Sequence, residues 1–187
     1  MTLFRTVPPE AEPVLLTEAK QNLRLDHDAE DGLLNGLIRA AREEVEAACG
    51  LAMVEQRWRL VLDELPPSRT VLLRRHPVRG VTSVTVYDVD GAASLVDPSR
   101  YRLEPQARPA RLSFSGPLPD SQNGIEIDFT AGFGEAATDV PDLLKRAIHV
   151  LVAHWFEFRA SFGASQQPGA SPSGYERLIA PWRLRRL

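Results

Sequence analysis

Apolar residues in the first quarter of the chain recur three and four positions apart, which is the spacing of one face of an α-helix. This pattern predicts a short helix over residues 17–25 and a longer helix over residues 28–49. Asp28 is the expected N-cap of the longer helix, and Gly50 is the expected left-handed residue at its end. The apolar stripe of the longer helix comprises Leu33, Leu34, Leu37, Ile38, Ala41, Val45 and Ala48.

Between residues 54 and 131 the period changes to two, and β-branched and aromatic residues become frequent. In the last predicted strand Ile125, Ile127 and Phe129 share one face, and the residues between them are polar. We therefore expect antiparallel strands with one buried and one solvated face. The other strands are predicted around Trp58, Leu60 and Leu62 and at Val71 to Arg74, Val81 to Tyr87, Arg100 to Glu104 and Arg111 to Phe114.

A third helix is predicted over residues 140–162, with Asp139 as N-cap and Pro141 in its first turn. Apolar residues cover more than half of its circumference and leave only a narrow polar strip. Such a helix is buried on more than one side. One of these sides is a candidate for a contact between subunits.

The C-terminal end combines a Gly-, Pro- and Ser-containing tether, residues 163–173, with a short amphipathic peptide, residues 174–187. A helix this short is marginal in water because nucleation is costly, so the peptide needs a surface to dock on. That surface belongs either to its own domain or to a neighbouring protein, and the sequence alone leaves both open. The residues expected to dock are Tyr175, Leu178, Ile179 and Trp182, at helical spacing, and Arg183, Arg185 and Arg186 after them.

Together these elements predict an α+β fold. A short N-terminal helix and two long helices form a small helical bundle, into which an antiparallel β region, residues 54–131, is inserted. Length favours one domain over residues 1–162. Residues 163–173 then form a flexible linker, and residues 174–187 a tethered docking peptide.

Composition narrows the classes of function. A net charge of -3 argues against a protein that wraps or neutralises a nucleic-acid backbone, although contact with passing DNA stays allowed. The single cysteine, Cys49, can form no internal disulfide and suits a reducing compartment. The first 13 residues lack the apolar stretch of a signal peptide, and the longest apolar run is too short to span a bilayer. We expect a soluble intracellular product.

Several motifs that suggest chemistry fit structural roles better. The acidic run from Asp26 to Asp31 lacks the glycine and the final acid of a calcium loop, so helix capping explains it better. His149 and His154 are five residues apart on a helix, so they point in different directions and cannot clamp one metal ion.

Gly132-Phe133-Gly134 lacks the Lys and Ser/Thr of a phosphate loop and reads as a tight turn that needs positive φ. No nucleophile elbow, Cys/His pair or zinc spacing occurs. We therefore expect no catalytic residues, no cofactor and no metal. The β region is locally basic, so its surface could face DNA, face acidic neighbours or simply be solvated. Its arginines are Arg57, Arg59, Arg74, Arg75, Arg79, Arg100, Arg102, Arg108 and Arg111.

Two blocks of sequence resemble one family. The first block runs from Pro13 to Lys20, continues with Leu23 to Asp28, and ends at Val45 to Gly50. The second comprises Thr130 to Gly134, Asp139 to Pro141, Lys145 to Ile148 and Ala153 to Glu157. In order and spacing these blocks resemble the head–tail connector proteins of tailed phages, also called adaptors or head completion proteins, which occur in prophages and gene transfer agents as well.

The resemblance implies a structural protein, not an enzyme. It implies a ring of about twelve subunits beneath the portal, which extends the DNA channel without sequence-specific binding and carries the next neck, stopper or tail protein. Since such rings often close only on a template, a monomer in isolation is compatible with it. The expected location is the neck of a virion or phage-like particle, and the host cytoplasm during assembly, with no membrane contact.

The resemblance and the apolar pattern together predict which residues make contacts. The C-terminal peptide is expected to bind the portal. The ring contact is assigned to Leu143, Leu144, Ile148, Leu151 and Trp155 of the third helix and to Arg42 and Glu46 of the second. Two other functions stay open: a DNA-packaging or DNA-binding accessory factor that uses the β-region arginines, and a metal-dependent hydrolase built around His149, His154 and Glu157.

Overall fold

The computed structural model describes residues 1–119, 121–158 and 172–183. Over these ranges the chain forms eight β-strands and four α-helices, which belong to two units. The strand unit consists of Met1–Glu10 and Glu55–Phe133, and the helix unit of Ala11–Val54 and Gly134–Leu187. Helices and antiparallel sheets together confirm the α+β class. The predicted division into a domain, a linker and a docking peptide, with boundaries at residues 162 and 173, stays a prediction.

The strand unit contains two antiparallel sheets, numbered here in chain order. The larger sheet has the order β1-β2-β8-β4-β5, and the smaller the order β3-β7-β6. The strands are β1 (Thr2–Val7), β2 (Gln56–Leu62), β3 (Thr70–Leu73), β4 (Val78–Tyr87), β5 (Ala93–Leu95), β6 (Tyr101–Glu104), β7 (Ala110–Phe114) and β8 (Ile125–Ala131).

Each sheet of the strand unit buries one face. In the larger sheet Trp58 lies opposite Phe129 and Leu60 lies opposite Ile127, and all four side chains are buried. This confirms the alternation predicted for β2 and β8. In the smaller sheet the buried face is formed by Val71, Leu73, Ala110, Leu112 and Phe114.

The helix unit contains α1 (Leu16–Leu23), α2 (Asp31–Cys49), α3 (Asp142–Phe158) and α4 (Tyr175–Ile179). Helix α3 contacts each of the other three helices, and α1 also contacts α2. Gly50 ends α2 with a φ of 66°, as the sequence predicted. Because α3 has three helical neighbours, most of its wide apolar surface is covered inside this unit.

The two predicted N-caps were wrong, since other groups engage both carboxylates. Asp28 accepts a hydrogen bond from Lys20 Nζ at 2.5 Å, and α2 begins only at Asp31. Asp139 closes a preceding 3-10 turn by accepting from the Ala136 amide at 3.0 Å, and α3 begins at Asp142. Residues 159–162 of the predicted third helix lie outside the described residues.

Candidate docking and assembly surfaces

The predicted docking residues divide into buried and accessible groups. Tyr175 and Ile179 are buried, with exposed fractions of 2% and 0%. Leu178 and Trp182 are half-buried, and Arg183 is exposed. Arg185 and Arg186 lie outside the described residues. Only part of the predicted apolar stripe therefore faces outward, and the docking role of all seven residues stays a prediction.

Helix α4 packs against the C-terminal end of α2 as well as against α3. The thiol of Cys49 donates a long hydrogen bond to the carbonyl oxygen of Ile179, at 3.9 Å. Burial raises the pKa of the Cys49 thiol to about 11 and that of the Tyr175 hydroxyl to about 12. Both groups are therefore neutral at physiological pH and act as packing groups.

The hydroxyl of Tyr175 is buried and has no hydrogen-bond partner among the described residues. An unsatisfied buried hydroxyl costs about 1–3 kcal/mol. The burial of the Tyr175 ring and of Ile179 thus holds α4 in place despite the cost of the unsatisfied hydroxyl. This makes α4 a less firmly fixed element than its burial alone suggests.

Arg183 has an acidic partner within the same C-terminal segment. Its Nη1 lies 2.5 Å from Oε2 of Glu176, which is in the first turn of α4. Both side chains are about half exposed, so the ion pair contributes little to stability. A partner with an acidic group can compete for this guanidinium at low cost.

The residues predicted for the ring contact are mostly interior. Leu144, Ile148 and Leu151 are buried in the helix unit, Trp155 is half-buried, and Leu143 is 48% exposed. The physical reason is that α1, α2 and α4 cover α3 together. The ring role of this set stays a prediction, and Leu143 is its most accessible member.

Sequence reasoning missed two exposed leucines of the helix unit. Leu33 was placed on the buried stripe of α2 but is 40% exposed, and Leu15, at the N-cap of α1, is 53% exposed. Leu33 and Leu34 are adjacent apolar residues in the first turn of α2, and of the two it is Leu34 that faces the interior. Leu15, Leu33 and Leu143 are the exposed large apolar residues of this unit among those described.

Arg42 and Glu46, the two charged residues of the predicted ring set, form an internal ion-pair network. Arg42 donates to Glu12 at 2.8 Å and to Glu46 at 3.0 Å, and its side chain is 3% exposed. Glu46 also accepts from the Met53 amide at 2.8 Å. The pair therefore ties α2 to the segments on both sides of it.

The histidines of α3 do not converge on a common site. His149 is half-buried, and burial lowers its pKa. The ring of His154 packs at 4.6 Å from that of Phe158. Within the described part of the chain no three His, Cys, Asp or Glu side chains are grouped so that they could hold a metal ion.

The glycine turn after β8 has a steric cause. Gly132 has a φ of 149°, and a Cβ at Gly134 would overlap the carboxyl group of Asp139. The need for positive φ was thus predicted correctly at Gly132. Of the helices that the structure describes, none has the length and apolar character needed to cross a bilayer.

The β-region arginines do not form one basic surface. Arg59 binds Asp128 and Glu126 at 2.8 and 3.0 Å, and Arg79 binds Glu55 at 2.8 Å. Arg75 lies over the ring of Trp58 at 4.6 Å. These arginines are used inside the strand unit, which leaves a smaller group accessible.

Solved structures of particle necks are similar to this chain along its full length. The neck of an empty gene transfer agent particle, computed with C6 symmetry, contains a chain that is 30% identical, with a TM-score of 0.85; the match covers 100% of this chain and 97% of that one. A native gene transfer agent virion matches at 29% identity and 0.85, and a native neck computed with C12 symmetry at 28% and 0.83, both with the same coverage.

A sequence profile of the phage gp6-like head–tail connector proteins matches residues 14–73. A comparison with curated proteins gives no match. The profile and the full-length likeness to the neck chains agree with each other. The chain therefore belongs to the head–tail connector family of tailed phages and phage-like particles.

Proposed function

We propose that this protein is a structural head–tail connector that forms a homo-oligomeric ring of about twelve subunits under the portal. The ring extends the DNA channel and joins the head to the neck or tail of a phage or gene transfer agent particle. The observation that carries the proposal is the 30% identical neck chain that matches all of this chain. The C6 and C12 symmetries of the matching necks support a ring.

The helix unit is the proposed ring wall. A cyclic ring needs a heterologous contact, in which two different surfaces of one subunit meet on its neighbours. The exposed Leu143 and Leu33, in the first turns of α3 and α2, are suited to such a contact because exposed large apolar groups gain most from burial. Interior residues such as Leu144 support the wall from within.

The C-terminal segment is the proposed portal contact. Trp182, Leu178 and Arg183 supply the accessible part, since aromatic and arginine side chains dominate many interfaces. Arg185 and Arg186, which follow in the sequence outside the described residues, belong to the same proposed contact. Tyr175 and Ile179 act as the anchor of α4 on its own subunit and reach the portal only if α4 leaves its place.

The proposal is tested by complementing particles that lack the gene. Without the protein we expect DNA-filled heads with no tails, and the wild-type gene restores tails. The double substitution W182A/R183A should keep the fold and lower tail joining at least tenfold, on the order of 1.4 kcal/mol or more of lost contact. The control is R177A, which replaces an exposed arginine of the neighbouring helix α4.

The ring contact is tested separately with L143E. The control is L95E, the same substitution at a leucine that is 73% exposed in the strand unit. We expect L143E to fold but fail to enter particles. If tails form normally without the protein, the connector function is wrong; if they fail without it but L143E is incorporated normally, only the ring assignment is wrong.

A further inference from the structure

The outer face of the three-stranded sheet carries three arginines at diagonal positions. Arg111 on β7 and Arg102 on β6 are exposed, and Arg102 lies opposite Ser113, two residues from Arg111. Arg74 directly follows β3, continues its alternation of buried and accessible residues, and is exposed as well. Because side chains two apart share a face of a strand, all three project from the side opposite the buried face.

The arginines of this face have little acidic compensation. No salt bridge to Arg74, Arg102 or Arg111 is present among the described residues, unlike for Arg59 and Arg79. Glu104 lies opposite Arg111 and offsets part of the charge. The face therefore keeps a net positive charge on a protein whose overall charge is -3.

The spacing of the arginines suits an extended polyanion. Diagonal neighbours on adjacent strands are about 7–8 Å apart, so the row spans about 15 Å. Along duplex DNA one strand presents a phosphate about every 3.4 Å of helix axis, so such a row runs past several phosphates. Arginine presents a planar fork of donors that matches phosphate oxygens.

The rest of the face favours a phosphate backbone over an acidic protein. The hydroxyls of Thr70 and Ser113 lie 3.2 Å apart between the strands, and hydroxyls are common partners of phosphate oxygens. The apolar residue that the strands place on this face is Leu72, which is half-buried. They place no aromatic or methionine side chain there. Cores of protein interfaces are enriched in those side chains.

We infer that Arg74, Arg102 and Arg111 form a contact surface for the phosphate backbone of duplex DNA, without sequence preference. The inference rests on the proposed function for the source of the DNA, which is the duplex passing through the neck. Each subunit contributes only a few phosphate contacts, so binding by one subunit is weak and strongly salt-dependent. A ring repeats the surface many times and raises the avidity.

The test is fluorescence anisotropy of the purified protein with a labelled duplex of random sequence, over a series of low salt concentrations. The variant R102Q/R111Q is compared with R39Q/R57Q, which removes the same charge from two exposed arginines elsewhere. We expect wild type and control to bind alike. The variant should bind at least tenfold more weakly, with a salt slope smaller by about 2, as two lost phosphate contacts require.

Equal binding by R102Q/R111Q and the control overturns the inference, as does no binding by wild type at the lowest salt. A labelled polyglutamate peptide of equal charge that binds tighter than the duplex assigns the face to an acidic protein and also overturns it. Tail joining in particles is scored separately. Loss of DNA binding with normal tails, or the reverse, therefore separates this inference from the connector function.

Discussion

The sulfur of Cys49, the last residue of α2, lies 3.9 Å from the carbonyl oxygen of Ile179, the last residue of α4. The two residues are 130 positions apart in sequence, and both side chains are buried. This contact joins the C-terminal segment to the interior of its own helix unit. The segment that the sequence predicts to be a tethered docking peptide thus packs, through α4, on the subunit that carries it.

Replacing Ile179 by Ala should lower the free energy of unfolding by about 2–4 kcal/mol, because a fully buried aliphatic side chain leaves a cavity. Replacing the half-buried Leu178 should cost less than half as much. Chemical denaturation monitored by circular dichroism compares the two. Equal and small losses would mean that α4 is not packed on the helix unit in solution.

Replacing Tyr175 by Phe should leave the protein as stable as wild type, or up to about 3 kcal/mol more stable. The change removes a buried hydroxyl that has no partner among the described residues and keeps the ring. The same denaturation experiment measures it. A loss of more than about 1 kcal/mol would reveal a hydrogen bond that stabilises α4.

Alkaline pH should weaken the packing of α4. The folded-state pKa values of Cys49 and Tyr175 are raised to about 11 and about 12, whereas the ordinary values are 9.0 and 10.0. The unfolded chain therefore loses these protons first, so stability is fully present below pH 9 and falls as pH rises from 9 towards 12. In C49A/Y175F, the fall over this window should be clearly smaller, whatever its stability at pH 7; an unchanged fall would contradict the assignment.

Replacing Arg42 by Ala should destabilise the protein by about 3–5 kcal/mol, since Glu46 is then left buried without its cation. The double variant R42L/E46L should be less destabilised than the two single leucine variants imply by addition, because it leaves no buried unpaired charge. Thermal and chemical unfolding provide this double-mutant cycle. Strict additivity would show that the two residues do not interact in solution.

Acidic pH should destabilise the helix unit through His149. Burial lowers its folded-state pKa; Glu18 of α1 opposes this shift, and Arg146 and Lys145 of α3 add to it. The unfolded histidine takes up a proton below about pH 6.5, so stability present above that value is lost as pH falls. H149Q should remove this part of the pH dependence, as measured by unfolding between pH 7 and 5; H154Q serves as the comparison.

The regular elements could be predicted because their periodicity is strong. The alternation of Ile125, Ile127 and Phe129 correctly predicted a strand, and the apolar stripe of α2 correctly predicted a helix. Gly50 was correctly assigned as the left-handed cap of α2. Strand β1 was missed, because Thr2–Val7 gains its place by pairing with β2, a partner far away in sequence. Local patterns carry no information about such a partner.

The candidate sites were less predictable than the elements. Amphipathic spacing predicted that α4 would dock, but it does not distinguish the subunit's own surface from a partner's. The wide apolar surface of α3 suggested a subunit contact, while the structure covers it with three helices. Which arginines of the β region form ion pairs depends on the register of neighbouring strands, which the sequence alone does not give. This register places Arg59 opposite Asp128, its ion-pair partner.

Electron cryomicroscopy of the intact particle neck tests the central claim most directly. The connector assignment predicts this chain as a closed ring of about twelve copies between the portal and the tail, with the helix unit forming the contacts between neighbours and the C-terminal end on the portal. A neck in which this chain is absent, or is present without forming a ring, would contradict it.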